Sequence, residues 1–228
     1  VTLPCDTVLV AGVDGVKSSW ILALVSTEGR VAWVRCASAR AVLAAAGRCA
    51  SVAVDIPIGL PTNGYRVSEQ LARSRLGRAR SSIFYTPVRA VLGCESYQQA
   101  CTVSRAASGK AISRQTWGLV PKIRDWDQAA PPHNLIEAHP ELSFRAMAPG
   151  LDFAAKKSAR GAAQRIAALG RWLSVLDALA TAPDGVPLED TLDALACAWT
   201  ARRFALDEHE SLGDETDPVT GRRMRIVI

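Results

Sequence analysis

Residues 8–55 constrain the fold more tightly than any other stretch of the chain. Val8 to Ser19, VLVAGVDGVKSS, is an unbroken Val-rich apolar run that ends in Asp14-Gly15 and a small polar turn. A run this short and apolar suits a buried central strand. Ser18 to Ser26 reads as a second strand, and Thr27-Glu28-Gly29 as a tight connection to a third, Arg30 to Cys36. Ser38 is placed to cap an Ala-rich helix that reaches about Arg48. A fourth strand, Ser51 to Asp55, is stopped at once by Pro57 and Pro61. The helical crossover makes this fourth strand parallel to one already in the sheet.

That order gives Asp14 and Asp55 a relationship. If strands one and four are parallel neighbours, both acids emerge at one sheet edge, at the carboxyl ends where open α/β sheets place their ligands. Asp14-Gly15 taken alone is ordinary hairpin chemistry. Two readings of Asp14 therefore stand side by side, a turn residue or the first member of a site. Two carboxylates that close repel each other unless a metal, a proton or an arginine intervenes.

The character changes from Pro61 to Arg89. Arg66, Arg73, Arg75, Arg78, Arg80 and Arg89 punctuate a predicted helix, Ser68 to Leu76, and the loop after it. A solvated basic helix explains such a run without any ligand. The arginines are mixed with Ser81, Ser82, Tyr85 and Thr86, which can also bind phosphate oxygens. Helices are predicted at Glu95 to Ser108 and Ile112 to Asp127, the second kinked or interrupted at Pro121. The segment from about 62 to 130 thus reads as a helical insertion between strands four and five.

Asn134 to Ala138 is the predicted fifth strand, ending in Glu137 just before His139-Pro140-Glu141. His139 could be a ligand or a base, but a hydrogen-bonded structural histidine is the better explanation, because one His offers no triad partner. A helix is expected from Arg160 to Leu179, with Ile166, Leu169, Leu173 and Leu176 on one face. The last helix runs from Glu189 to Phe204 and carries Asp190 and Asp193 on one side. Glu189 and Asp190 suit the helix's amino-terminal dipole. Asp193 lies deeper, on the packing side shared with Cys197 and Ala201, where a carboxylate needs a partner. Ala194 to Ala201 is small enough to lie close against a sheet. The tail, Gly213 to Ile228, reads as a polar loop with a short closing strand.

Asp14, Asp55, Glu137, Asp190 and Asp193 thus form a set of acids at element ends. Hard cations such as Mg or Mn take oxygen ligands from such sets, and phosphodiester hydrolysis uses them. The formal net charge of +5 over 228 residues favours an anionic partner such as nucleic acid. The six cysteines (Cys5, Cys36, Cys49, Cys94, Cys101, Cys197) show no CxxC spacing, which argues against a zinc site or a disulfide framework. With no signal-type amino terminus and no apolar run of membrane length, a soluble cytoplasmic protein is expected.

The order of elements resembles the ribonuclease H-like fold, a mixed five-stranded sheet flanked by helices with an acid-bearing final helix. The placement of acids is most similar to its Holliday-junction resolvase branch. More closely, the chain resembles the family called domain of unknown function 429, described as predicted ribonuclease H-like nucleases. The resemblance rests on AGVDGVKSSW, VAVDIPIGLP, RVSEQLARSRLG with SSIFYTPVR, SRQTWGLVPKIRDWD, IEAHPELSF, AAKKSARG and DTLDALACAWTARR, which cover most of the chain in order. It implies that Asp14, Asp55, Glu137 and Asp193 do the chemistry. Asp14, Asp55, Asp190 and Asp193 would hold Mg or Mn, while Lys157 and the arginines Arg66, Arg73 and Arg80 would line the substrate cleft. Ser68-Glu69 departs from the Cys-Asp pair expected in relatives.

Three functions fit. The first is a metal-dependent nuclease acting on nucleic acid. The second is an actin-like phosphotransferase, in which Lys17, Ser18 and Ser19 would cradle ATP phosphates, although no second glycine-rich loop accompanies them. The third is a non-catalytic nucleic-acid or protein interaction module on the same fold.

Overall fold

The computed structural model describes residues 9–228; Cys5 and Val8 lie outside them. The strands are β1 (Leu9–Val16), β2 (Ser19–Ser26), β3 (Val31–Cys36), β4 (Cys49–Val54), β5 (Leu135–Glu137), β6 (Ser211–Thr216) and β7 (Arg223–Val227). The α-helices are α1 (Ala39–Ala45), α2 (Val67–Leu76), α3 (Tyr97–Ser108), α4 (Arg114–Ala129), α5 (Pro140–Met147), α6 (Ala159–Leu169), α7 (Val175–Ala180) and α8 (Leu188–Ala205). These elements form two compact units. The first comprises residues 9–55, 132–210 and 227–228, and the second 56–131 with 211–226. The expected insertion falls within the second unit, which also takes in the β6–β7 pair.

The first unit is a mixed α/β sheet of five strands in the order β3-β2-β1-β4-β5, flanked by helices. β1 pairs antiparallel with β2, and β2 with β3, while β4 is parallel to β1 and β5 to β4. This is the order and direction that three hairpin-linked strands and a helical crossover predict. Ser38 caps α1 as expected, its hydroxyl accepting from the Ala41 N–H.

The β1–β2 turn is not where Asp14-Gly15 suggested. Asp14 pairs with Ile21 and Gly15 with Trp20, so both remain in the ladder. The chain reverses at Lys17-Ser18, between the paired Val16 and Ser19, with Lys17 at φ 44°. The polar dipeptide one step later satisfies the turn, which leaves Asp14 as a buried strand residue. The same two-residue reversal accounts for Lys17, Ser18 and Ser19.

Helix α8 lies against the centre of the sheet, and Gly12 is what lets it come so close. A Cβ at Gly12 would stand 2.0 Å from the Ala194 carbonyl oxygen and 2.1 Å from the Ala198 nitrogen. Main chain therefore meets main chain, with alanines on one side and glycine on the other. Helix α5 joins α8 through a Ser143–Thr200 hydroxyl pair at 2.8 Å.

One expected helix proves to be two. The chain leaves α6 at Gly170 and resumes helix at Val175. Leu169 and Leu173 are buried as the 3.6-residue pattern requires, but Leu176 is 70% exposed. The intervening turn happens to preserve the periodicity, so spacing alone suggests a continuous helix. Conversely, α4 continues without interruption through Pro121. Cys36, Cys49, Cys94, Cys101 and Cys197 are buried free thiols, packing as small hydrophobes. Among the described residues, no helix is long and apolar enough to cross a membrane.

In the second unit, Arg89 ties three segments together. It pairs with Asp127, with 2.7 Å between Nη1 and Oδ2, and with Asp217, which also accepts from the Leu60 N–H at 3.0 Å and the Thr220 hydroxyl at 2.7 Å. These bonds hold Asp217 at about 2 against the desolvation that would raise it.

Candidate carboxylate site

The parallel register sets the first two acids side by side. Val13 pairs with Val54, the last step of the β1–β4 ladder, and the Asp55 N–H then donates to the Val13 carbonyl at 3.1 Å. Asp14 and Asp55 are the next residue on each chain. Strand alternation puts Asp14 on the face that Gly12 presents to α8. The third acid comes from that helix: Asp193 immediately precedes Ala194, whose carbonyl touches Gly12. Both Asp14 and Asp193 are buried.

Crowding these carboxylates away from water makes ionisation costly. The Asp14 pKa is raised well above the usual carboxylate range, first by burial and then by the charges of Asp55 and Asp193. Asp55 is raised to about 7 by burial, with Glu137 and Glu141 adding to the shift and Lys156 opposing it. Asp193 is raised to about 6, again by burial first, although Lys156 draws it downward.

The cation in this cluster is Lys156, whose Nζ donates to Asp193 Oδ2 at 2.9 Å. Despite the desolvation that opposes its charge, its pKa is raised by Asp193, Asp14 and Asp55. The loop carrying it is built on α6. The Ser158 hydroxyl accepts from the Gly161 N–H at 3.0 Å as an N-cap, and a Cβ at Gly161 would sit 2.1 Å from the Ala155 carbonyl oxygen. Gln164 Oε1 accepts from the Ala154 N–H at 2.8 Å, and Arg165 donates to the Ala154 carbonyl at 3.0 Å. Arg165 also reaches Glu141 at 2.6 Å and lies over the rings of Phe144 and Phe153. Lys156 thus stands on a loop anchored at Ala154 on one side and by the Ser158 cap on the other.

The remaining expected residues are placed as follows. Glu137 is buried and pairs with Val54, one register step short of Asp55, on which it acts electrostatically. Asp190 lies in the first turn of α8 and contributes the smallest of the charges that raise Asp14. Lys157 is 78% exposed, 3.5 Å from Glu189. His139 is the N-cap residue of α5, its carbonyl accepting from Leu142 and Ser143.

The arginines belong to the second unit, where each has its own setting. Arg66 is 1% exposed, paired with Glu69 at 2.9 Å and donating to the Ile58 and Gly59 carbonyls. It serves the interior of its unit and presents no guanidinium to a ligand. Glu69 also accepts from the Thr86 N–H at 3.0 Å. Arg73 bonds the Arg80 and Ile83 carbonyls and lies over the Tyr85 ring at 4.9 Å, whereas the Arg80 side chain is exposed.

Sequence reasoning missed Lys156 and chose Lys157. Nothing in Lys-Lys-Ser separates the two, because the choice is made by the turn that Ser158 and Gly161 impose. The donor set is oxygen-only and anionic, which suits a hard divalent cation in kind and charge. Among the described residues, no three His, Cys, Asp or Glu side chains already converge on one point in the manner of a metal centre. A cation bound by Asp193 would have to share it with Lys156 or displace the lysine.

A family model described as protein of unknown function (DUF429) matches residues 12–217. No curated protein sequence and no solved structure matches the chain.

Proposed function

The chain belongs to the DUF429 family, and we propose that it is a metal-dependent phosphodiesterase acting on nucleic acid, with Mg or Mn held by Asp14, Asp55 and Asp193 and Asp190 beside them. One observation carries this reading: two strand-end acids in adjacent register lie within electrostatic reach of a helix acid brought in by the Gly12 contact. Burial raises all three, so the cluster is short of positive charge, and a divalent ion would supply it. Bound there, such an ion supplies Lewis acidity to an attacking water and to a poor leaving oxygen.

The chain's own groups have distinct parts. Asp55 stands beside Asp14 at the sheet edge, where its carboxylate would hold the ion. Lys156 keeps Asp193 ionised and brings a fixed positive charge to a site where phosphoryl oxygens would gain negative charge. Glu137 reinforces the negative field at Asp55. The free, buried cysteines suit a reducing cytoplasm.

The test is incubation with single-stranded, duplex and branched DNA and RNA, with Mg or Mn, resolved on denaturing gels. Metal-dependent cleavage of at least one substrate is expected, and it should be lost in an Asp14→Asn, Asp55→Asn double variant. A double variant that cleaves as fast as the wild type would overturn the assignment. The Lys156–Asp193 pair favours one second reading, a nucleic-acid interaction module in which lysine permanently takes the cation's place. Salt-sensitive binding with no cleavage under any metal would select it.

A further inference from the structure

The formal charge of the protein is unevenly divided. The second unit holds 14 Lys and Arg against 7 Asp and Glu, whereas the rest of the sequence holds 13 against 15. The excess is concentrated further in residues 65–116, with nine basic residues and two acidic ones, Glu69 and Glu95. Glu69 and Arg66 are buried against each other and cancel, which leaves eight basic residues against Glu95.

A pocket of about 330 Å³ opens within this basic segment, lined among others by Tyr65, Arg73, Ser81, Tyr85, Lys110 and Gln115. It is at the lower end of ligand-pocket volumes, roughly 300–1,000 Å³, and so matches one monomer of a polymer better than a duplex. Its aromatic wall is formed by Tyr65 and Tyr85, with ring centroids 4.4 Å apart and planes tilted 42°. Tyr85 is 39% exposed.

The walls are held by internal bonds. Arg73 anchors the 80–83 turn through the Arg80 and Ile83 carbonyls, fixing the segment that leads to Tyr85. On the other side, Ser104 donates to the Lys110 carbonyl at 2.7 Å, and Tyr97 to the Ile112 carbonyl at 3.0 Å. Lys110 is thereby fixed by its backbone while its side chain is exposed. Aromatic surface beside an exposed ammonium and an exposed hydroxyl is what a base and its phosphate require.

We propose that this pocket binds a nucleotide of a single-stranded nucleic acid, the base against the Tyr65–Tyr85 wall and the phosphate near Lys110 and Ser81. The inference extends the nuclease reading but does not rest on it, since the pocket lies wholly within the second unit.

Fluorescence anisotropy tests it with the full chain, in EDTA, using labelled 12-nucleotide thymidine and uridine strands and a blunt duplex of equal length. Single strands should bind more tightly than the duplex. Tyr85→Leu should weaken single-strand binding by about tenfold, and Lys110→Glu should weaken it and lower the slope of log affinity against log salt by about 0.7 or more. Circular dichroism confirms that each variant is folded, and Lys110, being exposed, keeps the test open if Tyr85→Leu is not. Duplex binding at least as tight as single-strand binding would overturn the proposal, as would wild-type affinity in both variants. Competition by uridine monophosphate as effective, per nucleotide, as by the strand would also overturn it and assign the pocket to a free nucleotide. The chelator takes cleavage out of the readout, so a failed nuclease assay and a failed binding assay remain separate results.

Discussion

Lys156 donates to Asp193 at 2.9 Å, and through that bond one ammonium sets the charge of a cluster of three acids, Asp14 and Asp193 buried and Asp55 half-buried. Removing it tests whether lysine and metal compete. In Lys156→Met at pH 8, Mn affinity measured by calorimetry should tighten, by about fivefold or more at the scale of one screened unit charge. Unchanged or weaker binding would show that Lys156 does not occupy the cation's place.

The acid cluster should also make the metal-free protein less stable as pH rises. Asp55 and Asp193 have folded-state values of about 7 and about 6, above those of an unfolded chain near 4. The folded state therefore holds protons that the unfolded state has already released. The associated stability is fully present below pH 4 and is lost as pH rises through 6 and 7. Thermal melting in EDTA should show a lower midpoint at pH 8 than at pH 5. Asp55→Asn should raise the pH 8 midpoint by about 5 °C, corresponding to roughly 2 kcal/mol. A flat profile in the wild type would refute the shifts.

Asp217 carries the opposite sign. Its pKa is lowered to about 2, mainly by the hydrogen bonds from Leu60, Thr220 and Val219 that overcome desolvation. The stability it contributes is present above about pH 4 and is lost as pH falls through 2. Asp217→Ala leaves Arg89 with Asp127 alone and the Leu60 N–H without its acceptor. Hydrogen exchange should accelerate across residues 56–131 in this variant and leave β1 and β4 protected. Equal acceleration in both units would show that the clamp is not local.

Gly12→Ala should be among the most damaging single-methyl additions in the chain. The new Cβ would meet backbone atoms of α8 at 2.0 and 2.1 Å, and backbone cannot rotate away as a side chain can. A loss of about 3 kcal/mol or more is expected in denaturant unfolding, in the upper range for overpacking. A loss below 1 kcal/mol would mean that the helix is free to shift.

The first four strands were legible because their turns and apolar runs are local signals. Asp14, Asp55 and Asp193 were legible as well, since topology alone brings strand ends together and a carboxylate on a packing face demands a partner. What the sequence hid depends on tertiary partners. Arg66 has the composition of a phosphate ligand and the burial of a core residue, and only the Ile58, Gly59 and Glu69 contacts distinguish the two. The break after α6 is masked because Leu169 and Leu173 keep helical spacing across it. The β6 strand, SLGDET, lacks the apolar alternation that would announce it.

The seat of α8 on Gly12 makes the gap between sheet and helix a dimension of the main chain itself. A gap set by side chains drifts whenever the core is repacked; one set by two backbones in contact acts as a gauge block. The identities at positions 14, 55 and 193 can then change while their spacing holds. The same platform could exchange its carboxylates for other ligands, or lose its chemistry altogether, without being rebuilt.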